Sequence, residues 1–191
     1  MKNNIRVIGI DDGPFKRGTD IETCITGVVM RLDGTIEDIR IRMLKIDDAN
    51  VLETISALIP ENSRTLIKAV ISEGVTFGGF GLIDPESFFV YTSIPFISIT
   101  KGKASLEAMK RALSAHHSYA SILQTLEKLK PLRVELNKRQ YMLNYSGITE
   151  SDAILILKKL MLTGNVPEPV RLAHIISRAV YDIKNTQIKK M

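Results

Sequence analysis

The sequence predicts an α/β fold: a mixed sheet, with an antiparallel three-strand meander and further parallel strands, flanked by helices. Three observations predict it. Strand-like runs cluster in the first 45 residues and are separated by short turn signals. From residue 47 onward, helical and strand patterns alternate, as when crossover helices cover the faces of a sheet. The chain has 191 residues with 45% hydrophobic side chains, enough for one sizeable core, so one domain over residues 1–191 is expected.

Residues 5–10 (IRVIGI) form an apolar run halted by Asp11-Asp12-Gly13-Pro14, and residues 23–32 form a second. Asp33-Gly34 is a two-residue hairpin signal between strand-like runs. The third run alternates, with Ile39, Ile41 and Met43 on one face and Arg40 and Arg42 on the other. Asp47-Asp48-Ala49-Asn50 then opens a helix carrying Val51, Ile55 and Leu58 at helical spacing.

Residues 66–71 are a short buried strand ending in Ser72-Glu73-Gly74, followed by a Gly-rich passage (Gly74, Gly78, Gly79, Gly81). Asp84-Pro85 starts a helix, residues 96–100 a fifth strand, and residues 104–113 and 119–129 read as helical. Residues 132–136 and 141–145 suggest a late hairpin. Thr149-Glu150-Ser151-Asp152 is a helix start, with carboxylates where the helix dipole favours them. A last helix begins at Pro169. On its wheel, at about 100° per residue, Leu172, Ile175, Ile176 and Ala179 form the apolar stripe. Arg171, His174 and Arg178 lie together away from it.

The net charge of +5 favours a polyanionic partner such as nucleic acid, although 26 basic against 21 acidic residues also suits a solvated mixed surface. The single Cys24 excludes an internal disulfide and sits in an apolar run as a small core residue. No run approaches the roughly 20 apolar residues of a membrane span, and Met1-Lys2-Asn3-Asn4 leads straight into a strand pattern. The expectation is a cytoplasmic protein with no membrane association.

Acidic residues stand where strands end: Asp11 and Asp12 after the first, Asp48 (with Asp47) after the third, Glu73 after the fourth. Carboxylates converging at strand ends would suit a hard cation with oxygen ligands. From pattern alone, Asp11-Asp12-Gly13-Pro14 also reads as a turn and Asp47-Asp48 as a helix cap. Lys101 could meet a phosphate or lie in solvent, and His174 could face phosphates or belong to a solvated face. His116-His117 lacks acidic or cysteine partners at ligand spacing and reads as structural. Phe77, Phe80, Phe88 and Phe89 read as core rather than as base-stacking residues.

Four separated segments, running from about residue 5 to about residue 180, carry a resemblance. Ile8-Gly9-Ile10-Asp11-Asp12-Gly13-Pro14-Phe15 resembles the opening signature of the archaeal endonuclease dU family. Gly74-Val75-Thr76-Phe77-Gly78-Gly79-Phe80 is similar to its middle motif. Ser146-Gly147-Ile148-Thr149 and Pro167-Glu168-Pro169-Val170-Arg171-Leu172-Ala173-His174 are similar to its C-terminal motifs.

That family is related to endonuclease V, a metal-dependent nuclease of ribonuclease-H-like fold acting at deaminated bases. The resemblance therefore implies a metal-dependent endonuclease using Mg²⁺ or Mn²⁺ in DNA repair, with nucleic acid as partner and DNA favoured over RNA. It implies Asp11, Asp48 and Glu73 as metal ligands and Asp11, Asp12, Lys101 and His174 as catalytic residues. Arg171 and Arg178 are the expected backbone contacts. Glu73 stands where the relatives place aspartate, so a nucleic-acid-binding module with weakened catalysis is the alternative. The tyrosine-containing wedge of endonuclease V is not seen in the sequence.

Overall fold

The computed structural model describes residues 5–101 and 120–188. The predicted helix at 104–113 and the His116-His117 pair lie outside the described residues. Strands β1 (Arg6–Asp12), β2 (Glu22–Arg31) and β3 (Ile36–Lys45) form the expected antiparallel meander. Helix α1 (Val51–Ser56) and a 3-10 turn (Glu61–Leu66) lead to β4 (Ile67–Glu73). The Gly-rich passage folds as a two-stranded hairpin of β5 (Thr76–Phe77) and β6 (Gly81–Leu82). Helix α2 (Pro85–Thr92), capped by the Asp84 carboxylate on the Ser87 N–H at 3.1 Å, precedes β7 (Phe96–Lys101). Helix α3 (Ala120–Lys128), the hairpin of β8 (Leu132–Leu136) and β9 (Arg139–Ser146), and helices α4 (Glu150–Leu160) and α5 (Glu168–Ile188) complete the order.

The main sheet runs β3-β2-β1-β4-β7-β9-β8, with β4 parallel to both β1 and β7 and the remaining pairs antiparallel. It matches the mixed meander-plus-parallel sheet read from sequence. Two strands outrun their expected ends: β1 continues through Asp12 and β4 through Glu73, so these acidic residues stand within the strands.

Alternation along the strands splits the core into two layers. Val7, Ala69, Ile71, Ile97 and Ile99 face α4 and α5, packing on Ala153, Ile156, Leu157, Leu160 and Val170. Ile8, Ile10, Ile25, Val29, Val70 and Phe96 face α1 and α2, packing on Val51, Ile55 and Phe88. Phe77 and Phe88 are core as expected, whereas Phe80 is half-buried in a smaller cluster with Val75 and Leu126.

The last helix corrects the sequence reading. Its buried face is Val170, Ala173 and Ser177, while Ile175 is 48% exposed. Small side chains win because α5 lies close against the sheet: a Cβ on Gly9 would come 2.3 Å from the Pro169 carbonyl carbon. A wheel scored by hydrophobicity favours large apolar residues and misses a face selected for closeness. Ser177 donates to the Asp11 carbonyl (3.1 Å) and to Thr26 Oγ1 (2.8 Å), Tyr181 to Asp20, and Lys184 pairs with Glu22. These bonds fix the helix along β1 and β2.

Candidate active site

β1, β4 and β7 are neighbours and parallel, so their C-terminal ends meet at one edge of the sheet. Ile10 pairs with Ser72, which puts Asp11 and Glu73 next to each other at the strand ends, about 4.8 Å being the usual strand spacing. Glu73 pairs with Ile99, and Lys101 follows two residues later. Counting from the buried residues, Asp11, Glu73 and Lys101 all fall on the α5 face. Glu73 and Lys101 line one small cleft with Asn165, from the connection between α4 and α5.

His174 closes this face from above. Its Nδ1 is 2.7 Å from Asp11 Oδ2. Asp11 is largely shielded, its side chain 17% exposed, whereas the imidazole is 61% exposed. Burial, then the charge of Asp12, push the Asp11 carboxyl up to about 6; the His174 bond opposes this and Glu73 adds to it. Desolvation and like charge both disfavour the ionised form. The site thus holds a buried, crowded carboxylate at the end of β1, with a histidine over it.

Asp12 takes a different direction. One residue on from Asp11, it points to the opposite face and accepts the Gly78 N–H at 2.8 Å. Burial raises its carboxyl, and this backbone bond partly offsets the shift. Gly78 (φ 56°) also passes its carbonyl to the Asp47 N–H at 2.8 Å. Asp47 itself is left-handed (φ 59°) and accepts from the Phe80 N–H (2.9 Å) and from Arg17 (2.7 Å). The Arg17 guanidinium lies 4.5 Å from the Phe80 ring centroid. This network ties the β1–β2 loop, the end of β3 and the β5–β6 hairpin together.

Among the described residues, Asp48 does not form a three-ligand metal group with Asp11 and Glu73. It lies three residues beyond β3, in the connection to α1, and its carboxylate accepts the Asn50 N–H at 2.9 Å, closing the turn before α1. Asn50, not either aspartate, occupies the α1 N-cap position. Among the described residues, no three His, Cys, Asp or Glu side chains form a preset metal cage. Arg171 is held by Glu168 at 2.6 Å, which lowers the Glu168 carboxyl. Arg178 is exposed one turn beyond His174, on the same side of α5.

Sequence reasoning missed two residues here, Ser177 and Arg17. Ser177, three residues after His174, holds the helix at Asp11; it lies off the apolar stripe read from the wheel, so no hydrophobic signal marked it. Asp47 and Arg17 are joined only by tertiary contact, and no sequence spacing connects them.

A family model described as endonuclease dU matches residues 3–181. A UPF0215 protein from Thermoplasma volcanium is 34% identical over 177 residues, covering 93% of this chain and 90% of that one. Another from Thermococcus gammatolerans is 29% identical, covering 98% and 97%. Among solved structures, a protein of unknown function from Archaeoglobus fulgidus is similar at TM-score 0.79 and 25% identity, with 92% and 98% of the chains covered. Endonuclease V from Streptomyces avermitilis is similar at TM-score 0.60 and 10% identity (96% and 84% covered). The endonuclease V of Ciona intestinalis, solved with a 24-mer DNA containing an inosine followed by a ribo-adenosine, is similar at 0.56 and 11% (97% and 86% covered). The last two likenesses concern the fold, which is ribonuclease-H-like; by its sequence, across residues 3–181, the chain belongs to the endonuclease dU family.

Proposed function

We propose that this protein is a metal-dependent endonuclease that hydrolyses phosphodiester bonds in nucleic acid at deaminated bases, in DNA repair, with deoxyuridine the first candidate. The observation that carries the reading is the convergence of Asp11, Glu73 and Lys101 on one face, under His174. The donor set suits a hard cation: two carboxylates at adjacent strand ends, one of them pushed up by burial and negative neighbours, would lose their mutual repulsion on binding it. Mg²⁺ commonly takes one or two protein carboxylates and completes its shell with water and substrate phosphate, so a preset cage is not needed. Asp11 and Glu73 would hold Mg²⁺ or Mn²⁺. When bound, the ion would supply an acidified water and charge stabilisation at the phosphodiester.

The chain's own residues would do the rest. Asp11 would orient the His174 ring through Nδ1, leaving Nε2 to take a proton from an attacking water or to pass a proton to a leaving oxygen. Lys101 would offset charge gathering on the phosphate. Arg178 would contact the strand backbone, and Arg171, paired with Glu168, would align the start of α5. Asp12 would act indirectly, holding the Gly78 turn beside the site.

Cleavage of labelled oligonucleotides tests this. The panel would carry uracil, hypoxanthine or no lesion, single- or double-stranded, with Mg²⁺ or Mn²⁺ and Asp11→Ala as control. Nicking that needs metal and vanishes in Asp11→Ala supports the nuclease; equal background in both proteins sinks it. Glu73 favours a second reading, a nucleic-acid-binding module with weakened catalysis, because its longer arm displaces the carboxylate from where an aspartate would hold it. A sharp rise in cleavage in Glu73→Asp would support that reading.

A further inference from the structure

Among the described residues, strand β3 is an open edge of the seven-stranded sheet. The Cys24 carbonyl accepts the Gly13 N–H at 2.8 Å, so residues 24 and 26 of β2 turn their backbone groups toward β1. Ile25 and Gly27 therefore bond to β3, where they oppose Arg42 and Arg40. By alternation, the backbone groups of Ile39, Ile41 and Met43 point outward. The Ile39 N–H is met by the Asp38 carboxylate (2.8 Å) and the Ile41 carbonyl by the Arg42 guanidinium (3.0 Å).

The two faces of this edge differ. On the α5 face stand Ile39, Ile41 and Met43, exposed by 46%, 37% and 46%. On the other face stand Asp38, Arg40 and Arg42, acid first and base last. The β2–β3 register shifts between Val29 and Met30, and the stretch from Asp38 to Lys45 is regular. Long regular edges are usually guarded by charge or proline, because they template pairing with another chain. Here the α5 face of the edge carries three successive apolar side chains, and its charges on the other face are ordered so that an antiparallel copy complements them.

We propose that β3 pairs antiparallel with β3 of a second copy of this chain, about a two-fold axis through Arg40. Ile39 then opposes the second copy's Ile41 twice, using outward backbone groups on both sides, and Asp38 opposes the second copy's Arg42 twice. Arg40 meets its own copy on the axis, each guanidinium already held by Asp38 at 2.8 Å. An axis through Ile41 would instead set Arg40 against Arg42 twice with no acid between, and like charges directly opposite are unfavourable. An isologous contact of this kind closes as a dimer and uses up both edges. Because a continuous sheet keeps its faces, both strand-end sites lie on the same side of the dimer, at opposite ends.

Sedimentation velocity on the full chain at rising concentration tests this without reference to catalysis. The expected result is a species of twice the chain mass, weakened by Ile41→Lys, Asp38→Arg and Arg42→Asp by at least about tenfold each. The double variant Asp38→Arg/Arg42→Asp restores pairing, because it exchanges the charges while keeping their complement. These side chains lie at the sheet edge, and far-UV circular dichroism of each variant confirms folding. A chain that stays monomeric at every concentration overturns the proposal, as does a dimer that none of the three single variants weakens. Loss in Ile41→Lys with no rescue in the double variant overturns the Arg40-centred register.

Discussion

Asp11→Asn should stabilise the metal-free protein at alkaline pH, although it removes a residue from the centre of the site. The Asp11 carboxyl rises from 3.8 to about 6 on folding, first through burial and then through the charge of Asp12. A carboxyl raised in the folded state favours folding most when protonated. Its contribution is fully present below 3.8, fades as pH climbs through the window to about 6, and is gone above it. At about 1.4 kcal/mol per unit, the ionised carboxylate costs the fold about 3 kcal/mol at pH 8. Asn has nearly the same shape and no charge, so it escapes that cost, less whatever it loses in its bond to His174.

Urea unfolding of both proteins in chelator, at pH 8 and pH 4, measures the difference. The variant should gain about 1–3 kcal/mol at pH 8 and almost nothing at pH 4. Adding Mg²⁺ at pH 8 should stabilise the native protein and narrow the gap, since a ligand of the folded state shifts the equilibrium by mass action. Equal stabilities at both pH values, or a variant that is weaker at pH 8, would refute the claim that this carboxylate is crowded and desolvated.

Other outcomes follow from the same contacts. Gly9→Ala forces a methyl into the Pro169–Val170 backbone and should cost about 1–3 kcal/mol or more by lifting α5, seen as a lower melting temperature and faster hydrogen exchange in that helix. Ser177→Ala removes the donor to the Asp11 carbonyl and to Thr26 in a fully buried position, and should cost about 1–3 kcal/mol in thermal or chemical unfolding. Asp47→Ala removes the carboxylate that accepts from Arg17 and from the Phe80 N–H while keeping a left-handed backbone that alanine dislikes; the β5–β6 hairpin should exchange amide hydrogens faster, with α5 unaffected. Lys101→Met should leave stability nearly unchanged, because the side chain is exposed, and lower cleavage by about a hundredfold if it meets the phosphate in the transition state.

Much of this was legible in local sequence. The strand runs, the turn at Asp33-Gly34, and the N-caps at Asp84 and Thr149 depend on near neighbours and are found where their residues predict them, with β1 and β4 running on past their expected ends. Asp11 and Glu73 were recognisable as acidic residues at strand ends for the same reason. The motif segments carried the family, and with it the expectation that a helix histidine serves the site.

Tertiary structure decided which of these residues meet. Parity within β1 separates Asp11 from Asp12, a one-residue difference that only packing on α5 could orient. Asp48 lies in the connection between β3 and α1 with its carboxylate turned to the Asn50 N–H, although the sequence showed all the acidic residues alike. The closeness of α5 to Gly9 selected Ala173 and Ser177 for its buried face over the larger apolar residues. Hydrophobic pattern and turn chemistry act over a few residues and can be read from the chain. Register, face and strand order come from contacts between distant segments, and the Asp11–His174 pair, 163 residues apart, exists only once the sheet and helix have been assembled.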